Sequence, residues 1–325
     1  MSEKKITSIG GQAVIEGVMM RGPFKTCVSV RKPDGEITEK ITENKVKGGF
    51  RKIPILRGIF GFVNSMVIGV NALMFSAQFY EEDGTPKEEG KNEETPSDSL
   101  DQKDERKDKK EDSGELSGFA LFITLFTSIA LSVGLFFVLP NLIAGGITDA
   151  FDFKQKDVFY NVIESVVKII IFLGYLTLVS QMKDIKRVFE YHGAEHKTIF
   201  CYENGEELTV ENVKKFKRFH PRCGTSFLLF VVIISIIVYT IVGRHENPLA
   251  NIGIRIALLP LIAGFSYEII RFAGKHSDNK LVSWLNQPGM WLQRLTTREP
   301  DDTQIECAIH SLKAVIPEDQ KADVW

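Results

Sequence analysis

The chain has 325 residues, 44% of them hydrophobic, and a formal net charge of −2. That near-neutral balance excludes a general electrostatic pull toward nucleic acid, and no nucleic-acid partner is expected. Four cysteines, Cys27, Cys201, Cys223 and Cys307, stand without a Cys-x-x-Cys pair, which argues against a disulfide framework and fits reduced thiols facing a cytosol.

The opening MSEKKITSIGG has no apolar core, so no secretory signal peptide is expected. Residues 1–50 read as a small cytoplasmic β-rich element, with the Pro-Asp-Gly turn of CVSVRKPDGEIT between two β-prone runs. Within 51–80, the apolar run 53–79 is long enough to cross a bilayer, but Arg57, Asn64 and Asn71 recur along one helical face. An amphipathic interfacial or re-entrant helix is favoured over a crossing, which would put the two termini on opposite sides. Residues 81–117 form a charged linker expected to be disordered: 81–115 hold fifteen acids, seven bases and one large aliphatic residue, Leu100.

Four segments within 118–272 predict transmembrane helices: 118–140, ended by Pro140, then 158–181, 225–243, and 251–272, kinked at Pro260. The loop 183–224 carries nine Lys and Arg, whereas 140–157 carries Lys154 and Lys156 and 244–250 carries Arg244. The cation-rich loop therefore faces the cytoplasm, and four crossings put both termini there too. Residues 273–325 read as a cytoplasmic helical segment, in which Ile305, Ala308, Ile309, Leu312 and Val315 share a face and Asp301 or Asp302 caps the helix. The fold class is a mainly α polytopic membrane protein of four transmembrane helices plus one interfacial helix and a small β element.

Two polar clusters bracket the cation-rich loop. EYHGAEHKT follows the second span, as a continuation of its helix, and offers His192, Glu195 and His196. FHPRCGTSF precedes the third span and offers His220 and Cys223 in a turn. Imidazole and thiolate together suit Zn²⁺. The order His192-x-x-Glu195-His196 is the inverted zinc-hydrolase motif, in which two histidines hold metal and the glutamate activates water. The plain alternative is an interfacial helix end whose histidines face water. Gly193 lowers helix propensity by about 1 kcal/mol and speaks against an unbroken helix. For the clusters to meet, the second span must tilt or break. Cys201 points away from the histidine face.

Inside the spans, Glu164 with Lys168 and Glu268 with Arg271 sit at helical spacing, as functional pairs or as structural ion pairs, with Arg255 and Arg271 able to snorkel. Glu16 reads as turn geometry, Glu306 and His310 as a solvated face, and His245 lies on the opposite side. The basic run 214–219 fits contact with anionic lipid headgroups.

The stretches GGQAVIEGVMMRGP, EYHGAEHK, HPRCGTSF and TTREPDDTQIECA together resemble the bacterial YqhQ family, a DUF1385-type group of membrane proteins. The resemblance implies a metal-dependent enzyme of the bacterial plasma membrane and carries His192, Glu195, His196, His220 and Cys223 over as metal-site positions. Glu16, Arg21 and the acids of EPDD match the family without an implied role, and Cys307 stands where an aliphatic residue is expected. The leading expectation is a hydrolase with a zinc site of His192, His196, His220 and Cys223 at the cytoplasmic membrane face, with Glu195 as general base. The alternatives are a membrane scaffold with a structural metal site and, third, a transporter using the intramembrane charges.

Overall fold

The structure is a computed structural model that describes residues 7–44, 53–80, 118–151, 156–243, 245, 247–275, 279–319 and 322–323. The expected linker 81–117 and the loop cations Lys154 and Arg244 lie outside the described residues.

The β element is a four-stranded antiparallel meander: β1 (Gly10–Val14), β2 (Gly17–Arg21), β3 (Lys25–Arg31) and β4 (Ile37–Glu43), in that spatial order. Its central strands are covered on both faces, which is why they read as apolar runs rather than as alternating ones. Val18, Met20 and Cys27 pack with Tyr191, Ala194, Ile305, Ala308 and Leu312 on one side. Val14, Met19, Val28 and Val30 pack with Ala72 and Tyr80 on the other. The outer strand β4 is polar and exposed, the usual protection of a sheet edge.

Among the described residues ten α-helices accompany it: α1 (Leu56–Ala77), α2 (Gly118–Val133), α3 (Leu139–Phe151), α4 (Lys156–Val179), α5 (Lys183–Glu203), α6 (Val210–Lys214), α7 (Gly224–Val242), α8 (Pro248–Lys275), α9 (Lys280–Thr296) and α10 (Asp302–Val315). The capping expectation for α10 is met by Asp301, which accepts from the Gln304 backbone N–H at 2.9 Å while the Gln304 side chain accepts from Asp301. All five residues of its expected apolar face are buried. Cys307 is buried beside them, and its thiol donates to the Ser29 carbonyl at 3.2 Å.

Among the described residues five helices, not four, are long and apolar enough to cross a membrane: α1, the run Phe126–Phe151, Phe159–Val179, α7 and Leu249–Ala273. Large side chains such as Val67, Ile129, Leu142, Ile170, Leu178 and Ile241 are exposed along them, the surface of a chain solvated by lipid. Two of the three polar residues that argued against α1 find partners, while Asn71 is exposed. Arg57 pairs with Glu268, its Nε 2.7 Å from Oε1, and the Asn64 amide, turned so that its oxygen faces Arg21, accepts from that guanidinium at 3.0 and 3.1 Å. Pro140 does not end its helix. A π-helical turn, Gly134–Val138, joins α2 to α3 and makes room for the ring that an α-helical ladder would reject. The second span does not run on into the histidine helix: Ser180–Met182 break it, with Met182 extended, before α5 starts.

Of the expected intramembrane pairs, Glu164 with Lys168 is found, and each glutamate also meets an arginine of another helix. Glu268 takes Arg57 of α1, because Gly58 lies against the backbone of Gly264, where a Cβ would sit 2.9 Å from the carbonyl oxygen. Arg255 does not snorkel; it is buried and forms an ion pair with Glu164, while Lys168 Nζ lies 3.5 Å from the other Glu164 oxygen. Arg255 also donates to Asn161 at 3.2 Å and stacks over Tyr239. This knot joins α4, α7 and α8. Removing its one carboxylate strands the buried Arg255 and the half-buried Lys168, so Glu164→Gln is expected to cost about 3 kcal/mol or more, read as a lowered unfolding midpoint in detergent.

Candidate metal centre

Three segments converge where α5 passes beneath the chain between α9 and α10. His192 and His196 lie one turn apart on α5, and Cys223 is the N-cap of α7. The ligand-capable atoms of these three residues all lie within 4.8 Å of one another, and His192 Nε2 is 3.2 Å from Cys223 Sγ. Two nitrogens and a sulfur around one tetrahedral zinc would stand about 3.3–3.5 Å apart, so a small contraction closes the set on an ion.

The orientation of each imidazole is fixed from behind. His192 Nδ1 lies 2.8 Å from the Thr296 carbonyl oxygen, and His196 Nδ1 lies 2.5 Å from that of Arg218. A carbonyl only accepts, so both Nδ1 atoms carry the proton and each Nε2 keeps its lone pair. This is the outer-shell arrangement of metal-binding histidines. Cys223 accepts from the backbone N–H of Thr225 at 3.4 Å, at the start of α7.

Glu195 completes the group from the same helix. It is 5% exposed, and its Oε2 has no hydrogen-bond partner among the described residues while lying 4.0 Å from His192 Nε2. Burial pushes its carboxyl above the usual carboxylate range, opposed by His192 and by the Gly11 backbone N–H. Gly11 is needed there: a Cβ would come within 2.8 Å of Glu195 Cγ.

His220, expected as a fourth ligand, does not join the three. Its ring stacks near His196 at 5.6 Å between centroids, but both nitrogens are engaged elsewhere. Nδ1 accepts from the Arg222 backbone N–H at 3.3 Å, and Nε2 faces Glu203 at 3.5 Å. Burial holds the His220 imidazole down to about 4, against the pull of Glu203. Glu203 stays below the usual carboxylate range: burial opposes its charge, and His220, Arg222 and the Thr7 backbone N–H together outweigh burial. Cys201 is buried away from the centre, donating to the Glu207 carbonyl at 3.5 Å. His310 is exposed, Glu306 pairs with Arg31 at 2.9 Å, and His245 stays at the far end of the bundle.

Several positioning residues escaped the motif reading. Gln293 on α9 holds the His220 backbone by two hydrogen bonds of 2.7 Å, which fixes the turn that presents Cys223. Glu299 binds Lys197 at 2.6 Å and Arg218 at 3.1 Å, and Asp302 binds Lys214 at 2.5 Å. The EPDD acids thus clamp the loop over the site, and they take up two cations of the run expected to meet lipid headgroups. Glu16 sits at φ 48° in the β1–β2 turn and binds Arg187, Nη2 to Oε2 at 2.6 Å, together with the Tyr191 hydroxyl at 3.1 Å. Glu16 and the EPDD acids were present in the sequence as motif residues without an assigned role, whereas Gln293 lies in none of the motifs.

Gly193 does not break α5. It lets the chain at Arg298 cross the helix, and a Cβ would stand 2.0 Å from the Arg298 carbonyl oxygen. Gly193→Ala, which helix propensity alone would favour by about 1 kcal/mol, is therefore expected to destabilise by about 1–3 kcal/mol in denaturant titration. The His220 shift has its own signature. Between pH 6.5 and about 4 the unfolded chain takes up a proton that folded His220 refuses. Stability is therefore expected to fall as pH drops through that window, and His220→Gln to flatten the fall.

The profile of the family described as "Protein of unknown function (DUF1385)" matches residues 53–318. Over 320 residues the chain is 36% identical to "Uncharacterized protein YqhQ" of Bacillus subtilis (strain 168), an alignment that covers 97% of this chain and 95% of that one. No solved structure matches.

Proposed function

The chain belongs to the DUF1385 family, and from the geometry of its His–His–Cys group we propose that it is a membrane-embedded, metal-dependent hydrolase. The observation that carries this reading is Glu195: a buried carboxyl oxygen without a partner among the described residues, beside three ligand-capable atoms, one fewer than a tetrahedral zinc takes. Imidazole and thiolate donors favour Zn²⁺. A bound divalent ion would supply Lewis acidity toward a water or a substrate oxygen. Glu195, its carboxyl already raised by burial, would take the proton from that water and return it to the leaving group. Thr296 and Arg218 would hold the two imidazoles in place throughout.

The same reading places the centre at the cytoplasmic membrane face. In support, the N-terminal sheet packs on α5 and on the C-terminal helix α10, on the side of the cation-rich loop. We propose that α1 enters only part way. Its first turn meets α8 at Gly264, about 16 Å short of the end of α8 at Lys275, and its last turns pack under the sheet, where Ser76 accepts from the Ile15 backbone N–H. Four crossings and one re-entrant helix then leave both termini cytoplasmic.

The rival is a scaffold with a closed structural metal site. Metal content of detergent-purified protein separates the readings from each other and from a metal-free helix end. About one zinc per chain is expected for the wild type and for Glu195→Gln, and none for the His192→Ala, His196→Ala double variant. With cobalt in place of zinc, an added small anion such as azide should shift the visible spectrum by entering the open position. A spectrum indifferent to anion would favour the scaffold, and absence of metal from the reconstituted wild type would refute both.

A further inference from the structure

α9 is not one of the five apolar spans, and its segment reads in the sequence as cytoplasmic, yet it carries two of the chain's three tryptophans on its open side. Trp284 is 70% and Trp291 60% exposed. They stand seven residues apart and share a helical face, with the exposed Pro288 between them. The exposed Ser283, Gln287 and Arg294 form a polar flank beside that face, and Val282, Asn286, Gly289 and Gln293 are buried behind it. The helix KLVSWLNQPGMWLQRLT thus has a protein side, a polar side and a tryptophan side, and it contains two cations and no acid. Indole has an apolar body and one N–H donor, which suits the layer between lipid tails and water, where tryptophans concentrate. An amphipathic helix with basic residues beside an aromatic face is the form that lies in that layer.

The packing of α9 sets its depth. Gly289 lies against Ser226 in the first turn of α7, where a Cβ would stand 2.5 Å from the Ser226 hydroxyl oxygen. Gln293 holds the His220 backbone just before that turn. Ile233 and Ile237 continue the Ser226 face of α7 about two and three turns further on, and they are 38% and 51% exposed. α9 is roughly 25 Å long, so lying down the side of α7 it would cover both. It therefore crosses the mouth of α7, at the end beside the cation-rich loop, and past it the same face of α7 is open to lipid. The tryptophan side of α9 continues that apolar surface to the membrane's edge.

We propose that α9 is an interfacial helix that docks on the phospholipid headgroup layer, with Trp284 and Trp291 seated in the lipid. Lys280 and Arg294 then meet the phosphates of anionic lipids. The docking needs no metal. It would nevertheless hold the His–His–Cys group at headgroup depth, because Gln293 fixes the turn before Cys223 and Thr296 orients His192 from the same helix.

Trp325→Phe leaves tryptophan emission from α9 alone, and that full-length chain would be reconstituted in vesicles of phosphatidylcholine and phosphatidylglycerol. Lipid brominated near the glycerol end of its acyl chains is expected to quench the emission at least twofold, and more strongly than lipid brominated near the methyl end. Trp284→Phe and Trp291→Phe, each added singly, should keep that depth order, and so should the unmodified chain measured alongside, diluted by Trp325. The His192→Ala, His196→Ala variant should keep it too, which separates a failure of the metal reading from a failure of this one. Stronger quenching by the deep bromines would put α9 inside the bilayer, and quenching by dissolved acrylamide alone would put it in water. Either result overturns the proposal. Emission untouched by both quenchers would mean that a protein surface, such as a second copy of the chain, covers the tryptophans, and would overturn it as well.

Discussion

The site depends on one backbone crossing. Where Thr296–Pro300 passes over α5 at Gly193, the Arg298 N–H bonds the Phe189 carbonyl at 2.8 Å, and the Arg298 side chain reaches back to the Ser180 carbonyl at the break after α4. From the same strap, Thr296 orients His192, and Glu299 holds Lys197 and Arg218. Arg218 in turn offers the carbonyl that orients His196. One contact, possible only without a side chain at 193, thus ties the membrane helices to both imidazoles.

Against that background the buried carboxylates divide into two kinds. Among the described residues Glu164, Glu203 and Asp323 are buried with partners: Arg255 and Lys168, Arg222, and Thr7 with Tyr202. Each of these joins distant parts of the chain, as a buried charge must be compensated to be tolerated. Glu195 is the exception. Its Oε2 faces the His–His–Cys group and meets no donor. A carboxyl oxygen kept buried without a donor among the described residues is a cost that a bound water or ion would offset.

Much of this was legible in the sequence, because the strongest signals are local. Long apolar runs, the Pro-Asp-Gly hairpin, the α10 stripe and its Asp301 cap depend on neighbours within a few residues, and each was found near its expected place. The histidine, glutamate and cysteine positions were legible for the same reason. The rest required knowing which distant segments touch. Arg57 belongs with Glu268 only because two glycines bring α1 onto α8. Gly193 read as a flaw in a helix because the strap that needs it lies about a hundred residues on. His220 looked like a ligand by residue type, yet Glu203 and Arg222 engage it from the end of α5 and the adjoining turn. Pro140 looked like a terminator because nothing in composition announces a π turn.

The central claim is an open centre of two histidines and one cysteine. X-ray absorption at the zinc edge of the purified, zinc-loaded protein tests it most directly. The account requires two imidazoles and one sulfur at about 2.0 and 2.3 Å with one further light ligand. A shell of three imidazoles and one sulfur, drawing in His220, would contradict an open catalytic position, and failure to bind zinc at all would contradict the centre itself.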